Sequence, residues 1–188
     1  MGTCTSTAIR MAVDAGIDTL EHVPFRANGT IEYDEGIVRD IVRKGTIVSL
    51  AFPATWYRMR AEEMREARNH PGQFWEGRYE TVRKMHAVGV KLVVSSDQGS
   101  RGTRINELSL LMAFLVNQLE LPSADVLYGV TSLAAEAVGM KDKIGTLEEG
   151  KLADVVVVDG DPLADISAMG RIHTVVKGGN VVVKDGML

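Results

Sequence analysis

Hydrophobic residues in the first two thirds of the chain change repeatedly between helical spacing and short continuous runs. Between a cap at Thr5 or Ser6 and a stop at Gly16, apolar positions recur at helical spacing, which predicts a first helix. Short segments typical of strands stand at 17–22, 46–52 and 90–96, and the second and third of them are largely apolar. Helical patterns stand at 33–45, 106–120, 123–130 and 132–139, and a mostly helical segment at 54–88 is broken near 70–72.

The order of these elements predicts an α/β fold. The helix at 33–45 has acidic residues in its first turn, Arg43 and Lys44 in its last, and Gly45 as its end. It separates the first two strand segments, and the helical segment at 54–88 separates the second from the third. Strands that alternate with helices in this way predict a parallel sheet covered by helices.

The pattern changes near Ile144. An apolar strand at 154–159 is followed by a hairpin at 171–186, in which Gly178-Gly179-Asn180 supplies the positive-φ residues of a tight turn. Short antiparallel strands without helices between them are typical of a separate β layer. We therefore predict two domains, 1–143 and 144–188.

Composition narrows the classes of function. The 188 residues carry a net charge of −4 and are 45% hydrophobic, so no basic surface for nucleic acid or an anionic membrane is indicated. No apolar run is long enough to cross a bilayer, and no export signal opens the chain, so we expect a cytoplasmic protein. The single cysteine, Cys4, excludes an intrachain disulfide and a thiolate metal cluster.

Candidate chemistry begins at the stretch VSSDQGSRGTR, residues 94–104, where a buried strand runs into an aspartate and a glycine-rich loop. Asp97 alone is explained by the preference of aspartate for turns, and His22 by an ordinary position at a strand end. Arg101 and Arg104 could bind a substrate carboxylate through two parallel hydrogen bonds, or be ordinary charges of an exposed loop.

Three motifs in order resemble the C-terminal half of the metal-dependent amidohydrolase superfamily, closest to its imidazolonepropionase and Xaa-Pro dipeptidase-like branch. They are GIDTLEHV at 16–23, SSDQG at 95–99, and TSLAAEAVGMKDKIGTLEEGKLADVVVVDGDPL at 131–163. The resemblance covers nearly the whole chain, and its most specific part is residues 145–159. It implies a partial (β/α)8 TIM barrel, containing strands six to eight with their helices, followed by C-terminal strands of the composite β-sandwich.

The same resemblance implies roles for two residues at the carboxyl ends of barrel strands, where such barrels place their chemistry. His22, on strand six, is implied to bind a divalent metal, in the first instance zinc. Asp97, on strand eight, is implied to bind the metal and to act in catalysis by moving a proton. The implied reaction is hydrolysis of a C–N bond in an amide, cyclic amide or dipeptide by metal-activated water.

Other ligands of that family site are absent from this sequence. There is no strand-one His-x-His and no strand-four lysine, and Thr3 stands where the strand-five histidine is expected. We therefore expect a fragment that binds metal weakly or not at all by itself, needing its missing N-terminal half or a complementary chain. The alternative is a non-catalytic remnant or interaction module. In both cases open barrel edges predict a homo-oligomer.

Several further residues have structural explanations at least as good as functional ones. Aromatic side chains around the helices after the second run could line a substrate pocket or simply pack: Trp56, Tyr57, Phe74 and Trp75. The Phe52-Pro53 pair could shape a pocket floor or only end the strand. The remaining histidines are expected to be structural or solvated: His70, His86 and His173.

Overall fold

The computed structural model describes residues 5–27, 30–52, 72–99 and 105–187, and of 72–75 it describes the backbone alone. The chain has an α/β fold and divides after Ile105 into two compact units. The predicted boundary at 143/144 between a barrel part and a β segment stays a prediction.

Most of the described elements follow the predicted order, and several have shorter bounds than predicted. The α-helices are α1 Ser6–Asp14, α2 Glu35–Lys44, α3 Gly72–Ala87, α4 Leu108–Asn117, α5 Ser123–Val130 and α6 Ser132–Ala137. The strands are β1 Thr19–Glu21, β2 Arg26–Ala27, β3 Thr30–Ile31, β4 Ile47–Ser49, β5 Leu92–Val93, β6 Val155–Val158, β7 Ile172–Lys177 and β8 Asn180–Lys184. A 3-10 helix, Ile166–Gly170, lies between β6 and β7. No helix within the described ranges is both long and apolar enough to cross a membrane.

The first unit is built on a parallel sheet with the strand order β1-β4-β5. Leu20 pairs with Val48, and Val48 with Leu92, so the three strands share one register. Helix α2 connects β1 to β4, and α3 lies in the connection from β4 to β5. All three carboxyl ends therefore lie at one edge of the sheet, as in any parallel β-α-β arrangement.

Local capping explains where the helices of this unit begin and end. The Asp34 carboxylate accepts a hydrogen bond from the Ile37 amide at 2.9 Å, and Thr5 Oγ1 accepts one from the Ala8 amide at 3.2 Å. Gly45 ends α2 at φ 71°, in the left-handed conformation that glycine adopts without a Cβ clash. Thr5 and Gly45 thus lie at helix ends where the sequence predicts them, whereas the cap at Asp34 was not predicted.

Helices α1 and α2 pack on each other through a buried apolar face and a polar link. Ile9, Val13 and Ile41 are fully buried. Arg10 Nη1 donates to Asp40 Oδ2 at 2.5 Å, and Arg43 and Arg10 together hold the pKa of the Asp40 carboxyl below its usual range. The link orients the helix pair, while apolar burial supplies most of the stabilisation.

A short antiparallel pair, β2 and β3, was not predicted by the sequence pattern. It follows β1 and lies against α3, where a Cβ on Gly77 would come within 3.0 Å of Ile31. Each strand is two residues long, which is too short for an alternating hydrophobic pattern to indicate.

The second unit combines α4–α6 with the antiparallel sheet β6-β7-β8, whose short strands lie after Ile144, where the change of sequence pattern predicts them. The hairpin turn consists of Gly178 at φ 56° and Gly179 at φ 84°, since Asn180 already pairs with Lys177. Asp154 holds this turn: its carboxylate accepts from Lys177 Nζ at 2.5 Å and from the Gly178 amide at 2.8 Å.

Candidate functional site

His22 and Asp97 lie at the same edge of the parallel sheet. His22 directly follows β1, and its amide donates to the Ser49 carbonyl at 2.9 Å, continuing the ladder between β1 and β4. Asp97 lies four residues after the end of β5 and two residues after Ser95. The Ser95 carbonyl accepts a hydrogen bond from the Phe52 amide at 3.1 Å. Both residues are half-buried. This is the edge at which parallel α/β folds place their ligands and chemistry.

One strand, β4, separates the two residues in the sheet. Because neighbouring strands lie about 4.8 Å apart, their backbones are separated by about 10 Å. An imidazole and a carboxylate that extend towards each other can close a gap of this size around one ion. The strand order therefore brings together two donors that are 75 positions apart in the numbering (97 − 22).

The backbone at this edge is strained. Among the described residues, seven other than glycine have positive φ, and five of them lie within four residues after a strand of the parallel sheet. Those five are His22 (70°), Val23 (39°), Phe25 (49°), Ala51 (44°) and Asp97 (50°). Each such conformation costs about 1–3 kcal/mol and persists only where the surroundings hold it, which is typical of functional edges.

A serine pair beneath the edge holds part of this backbone. Ser49 Oγ and Ser95 Oγ are 2.7 Å apart, and Ser95 Oγ also accepts a hydrogen bond from the Ala51 amide at 3.0 Å. The side chain of Ser95 thereby joins the end of β4 to the segment that leads into Asp97. This connection was not predicted from the sequence.

Arg78, on α3, was likewise not predicted from the sequence as a residue of this edge. It is 5% exposed, and its guanidinium donates to the carbonyls of His22 at 3.0 Å and Leu50 at 2.8 Å. The guanidinium carbon lies 4.5 Å from the centre of the Phe52 ring. Phe52 itself is fully buried.

A signal for Arg78 was nevertheless present in the sequence. Arg78, Thr81, Val82 and Met85 follow the i, i+3, i+4, i+7 spacing of one helical face, and all four are buried. An arginine on the apolar face of a helix is seldom buried without polar partners. The spacing could therefore have identified Arg78 as a residue that binds polar groups inside the fold.

Most other predicted site residues lie outside the described part of the chain. These are Arg101, Arg104, His70, Trp56, Tyr57 and Pro53, and the side chains of Phe74 and Trp75. His86 lies in the last turn of α3, next to the amino end of β5 and away from the edge that carries His22. His173 lies on β7 of the second unit, with its Nδ1 2.8 Å from Thr174 Oγ1.

The donors at the sheet edge fit a divalent metal in kind but not in number. An imidazole nitrogen and a carboxylate oxygen are ligands that zinc accepts, and zinc hydrolases hold the ion with three protein ligands. Within residues 5–27, 30–52, 72–99 and 105–187, no group of three His, Cys, Asp or Glu side chains could hold a metal ion. His22 and Asp97 are therefore at most part of a ligand set.

Comparison with known proteins gives a family for this arrangement. The model of the amidohydrolase family matches residues 5–182. The imidazolonepropionase of Caldanaerobacter subterraneus subsp. tengcongensis is 29% identical over 158 residues, covering 82% of this chain and 34% of that protein. The imidazolonepropionase of Geobacillus sp. (strain WCH70) is 30% identical over 181 residues, covering 95% of this chain and 37% of that protein.

Solved structures show the same fold. A molinate hydrolase matches with a TM-score of 0.80 at 22% identity, covering 96% of this chain and 41% of its own. A Xaa-Pro dipeptidase with methionine bound in its active site matches with a TM-score of 0.75 at 23% identity, covering 94% and 42%. The chain thus spans little more than a third of the length of the curated relatives that it matches.

Proposed function

Because this chain belongs to the amidohydrolase family, we propose that it is part of a metal-dependent hydrolase of carbon–nitrogen bonds. The observation that carries the proposal is the position of His22 and Asp97, one strand apart at the carboxyl edge of the parallel sheet. In this proposal β1, β4 and β5 are strands six to eight of a (β/α)8 barrel, and β6–β8 belong to its β-sandwich.

The proposed chemistry assigns separate roles to the two side chains. His22 and Asp97 would contribute a nitrogen and an oxygen ligand to a divalent ion, for which zinc is the first candidate. Such an ion makes hydroxide available near neutral pH. The Asp97 carboxylate would accept a proton from the attacking water and pass it to the departing nitrogen as the C–N bond breaks. Its position at the sheet edge, where substrate arrives in such folds, supports this role.

The proposed substrate is a small molecule with an amide, cyclic amide or dipeptide bond. Two kinds of relative support this class: the imidazolonepropionases in sequence and a Xaa-Pro dipeptidase in fold. Arg101 and Arg104 follow Asp97 in the sequence. We propose that one of them binds a substrate carboxylate through two parallel hydrogen bonds from its guanidinium group.

The ligand count makes activity of the 188-residue chain alone unexpected. Two protein ligands leave an ion mostly hydrated, so most of the effect on its bound water is lost. We propose that further ligands come from a segment beyond these residues or from a complementary chain. The chain spans little more than a third of the length of these relatives, which supports this view.

A second candidate function is a non-catalytic module that binds further copies of itself. It is favoured by valines of the sheet β6-β7-β8 (the tail sheet), which remain exposed although they are strand residues: Val156, Val157, Val181 and Val182. Exposed apolar strand surfaces commonly mark interfaces between chains.

Metal binding tests the first proposal. Zinc chloride titrated into the purified chain, followed residue by residue by NMR, should perturb His22 and Asp97 with weak affinity. His22→Ala and Asp97→Ala should each weaken binding at least tenfold, since each removes half of the ligand pair. His86→Ala and His173→Ala are the matched controls and should leave the titration unchanged. The chain should not hydrolyse N-acyl amino acids or dipeptides.

Two outcomes would overturn parts of this proposal. A zinc titration that is insensitive to both His22→Ala and Asp97→Ala would exclude these residues as ligands. Tight one-to-one zinc, with hydrolysis that disappears in Asp97→Ala, would instead show that the chain assembles a complete site between copies and is active without further segments.

A further inference from the structure

Arg78 links an outer helix to the edge of the sheet that carries His22. Its guanidinium reaches two carbonyls on adjacent strand ends: Nη1 donates to His22 at 3.0 Å and Nη2 to Leu50 at 2.8 Å. The side chain is almost entirely buried, and Phe52 lies against the guanidinium. A guanidinium group suits two fixed acceptors because its N–H donors lie in one plane at fixed angles.

The link stands where the regular ladder between β1 and β4 stops. The His22 amide bonds to the Ser49 carbonyl, so in a continuing parallel ladder the His22 carbonyl would accept from the Ala51 amide. Here the Ala51 amide donates to Ser95 Oγ instead, and the His22 carbonyl accepts from Arg78. The arginine therefore replaces the missing hydrogen bond for a carbonyl at a partly buried position.

The same interaction holds a strained residue. His22 has φ 70°, a conformation that residues with a side chain adopt only when their surroundings hold them there. Its amide is held by Ser49 and its carbonyl by Arg78, so both peptide groups of the residue are fixed. Fixing both of them determines the direction of the Cα–Cβ bond and hence where the imidazole can reach.

We propose that Arg78 is a positioning residue that holds the His22 backbone so that the imidazole is directed to the candidate metal site. The inference rests on the proposed function for the identity of the ligand, but the positioning of His22 is measurable without metal. Groups that orient a metal ligand commonly change metal affinity by 10–100-fold when they are removed.

The test uses the 188-residue chain with Arg78→Met, Arg78→Lys and, as a matched control, Arg83→Met. Met keeps much of the length and apolar volume of arginine but donates no hydrogen bond. Lys keeps the charge but offers one ammonium instead of a planar fork. Arg83 lies on the same helix, is more exposed, and pairs with Glu80 at 3.9 Å.

Two readouts follow His22 itself. The first is the set of ring ¹H–¹⁵N correlations of His22 in metal-free protein, and the second is the zinc chloride titration monitored at those signals. Arg78→Met should shift and broaden the His22 ring signals and weaken zinc binding about tenfold. Arg78→Lys should retain part of the affinity, and Arg83→Met should match the wild type in both readouts.

Each outcome decides the inference. Unchanged His22 ring signals and unchanged zinc affinity in folded Arg78→Met would overturn it. If Arg78→Met does not fold, Arg78→Lys decides, and wild-type behaviour of that variant in both readouts would equally overturn it. If zinc affinity is insensitive to His22→Ala in the wild type, the proposed metal site fails, while the metal-free ring signals still decide whether Arg78 positions His22.

Discussion

Replacing Gly145 by alanine should destabilise the second unit more than the same change at Gly150. Both glycines belong to the stretch GTLEEG, and their φ angles are nearly equal, 93° and 88°. Their surroundings differ. A Cβ on Gly145 would lie 2.6 Å from Ala135 Cβ and 3.1 Å from Ser132 Cα, whereas a Cβ on Gly150 would meet nothing within 4 Å.

The comparison separates two costs. The backbone cost of positive φ, about 1–2 kcal/mol, applies to both variants. It is partly offset by about 0.4–1 kcal/mol from the reduced freedom of the unfolded chain. Gly145→Ala adds an overlap with α6, because non-bonded carbons prefer separations of about 3.5–4.0 Å. Overpacking of this kind costs typically 1–3 kcal/mol. We therefore expect about 0–1.6 kcal/mol for Gly150→Ala and about 1–4.6 kcal/mol for Gly145→Ala, the difference being the overpacking cost.

Urea denaturation followed by circular dichroism measures the difference directly, and thermal melting should show Gly145→Ala as the less stable variant. The hydrogen bond from Ser132 Oγ to the Gly145 carbonyl, at 3.0 Å, is a second contact between this turn and α6. Equal destabilisation by the two alanines, within about 0.5 kcal/mol, would refute the close approach of Gly145 to α6 as the cause.

Two further predictions concern the tail sheet. Lys177 and the Gly178 amide hold the pKa of the Asp154 carboxyl below its usual range, so their stabilisation is present above the ordinary aspartate pKa of about 4. It is lost as pH falls through the lowered value. Asp154→Asn should thus have a lower melting temperature than the wild type near neutral pH, and the two melting temperatures should converge at strongly acidic pH. A difference in melting temperature that does not depend on pH would show that the Asp154 carboxylate is not its cause. Light scattering at micromolar concentration should show a homo-oligomer. Val181→Lys should weaken it, since Val181 is 60% exposed on its strand. A monomeric wild type would contradict the prediction.

Much of the fold could be predicted from the sequence, because the signals are local. Asp34 and Gly45 bound α2 through contacts within one helical turn, and the glycine pair of the β7–β8 hairpin shapes its turn through its own φ angles. The membership in the amidohydrolase family is likewise confirmed for residues 5–182. The two-residue strands β2 and β3 escaped prediction because they are too short to show a period.

The candidate site could be predicted from the sequence only in part. His22 and Asp97 could be named from their motifs, but their common location depends on strand order, which places β4 between them. Their roles as ligands stay predictions, as do those of Arg101 and Arg104. The serine pair joins residues 46 positions apart, and no local pattern indicates such a pair.

Most helices, the longer strands and the family motifs can be identified from the sequence, because near neighbours along the chain decide them. Which side chains bond to the edge of the sheet depends instead on contacts between residues far apart in the sequence. Arg78 reaches a carbonyl 56 positions away, at His22, and the helical spacing shows only that this arginine is buried. Its partner follows from the packing of α3 across the ends of β1 and β4, where an interrupted ladder leaves a carbonyl that needs a donor.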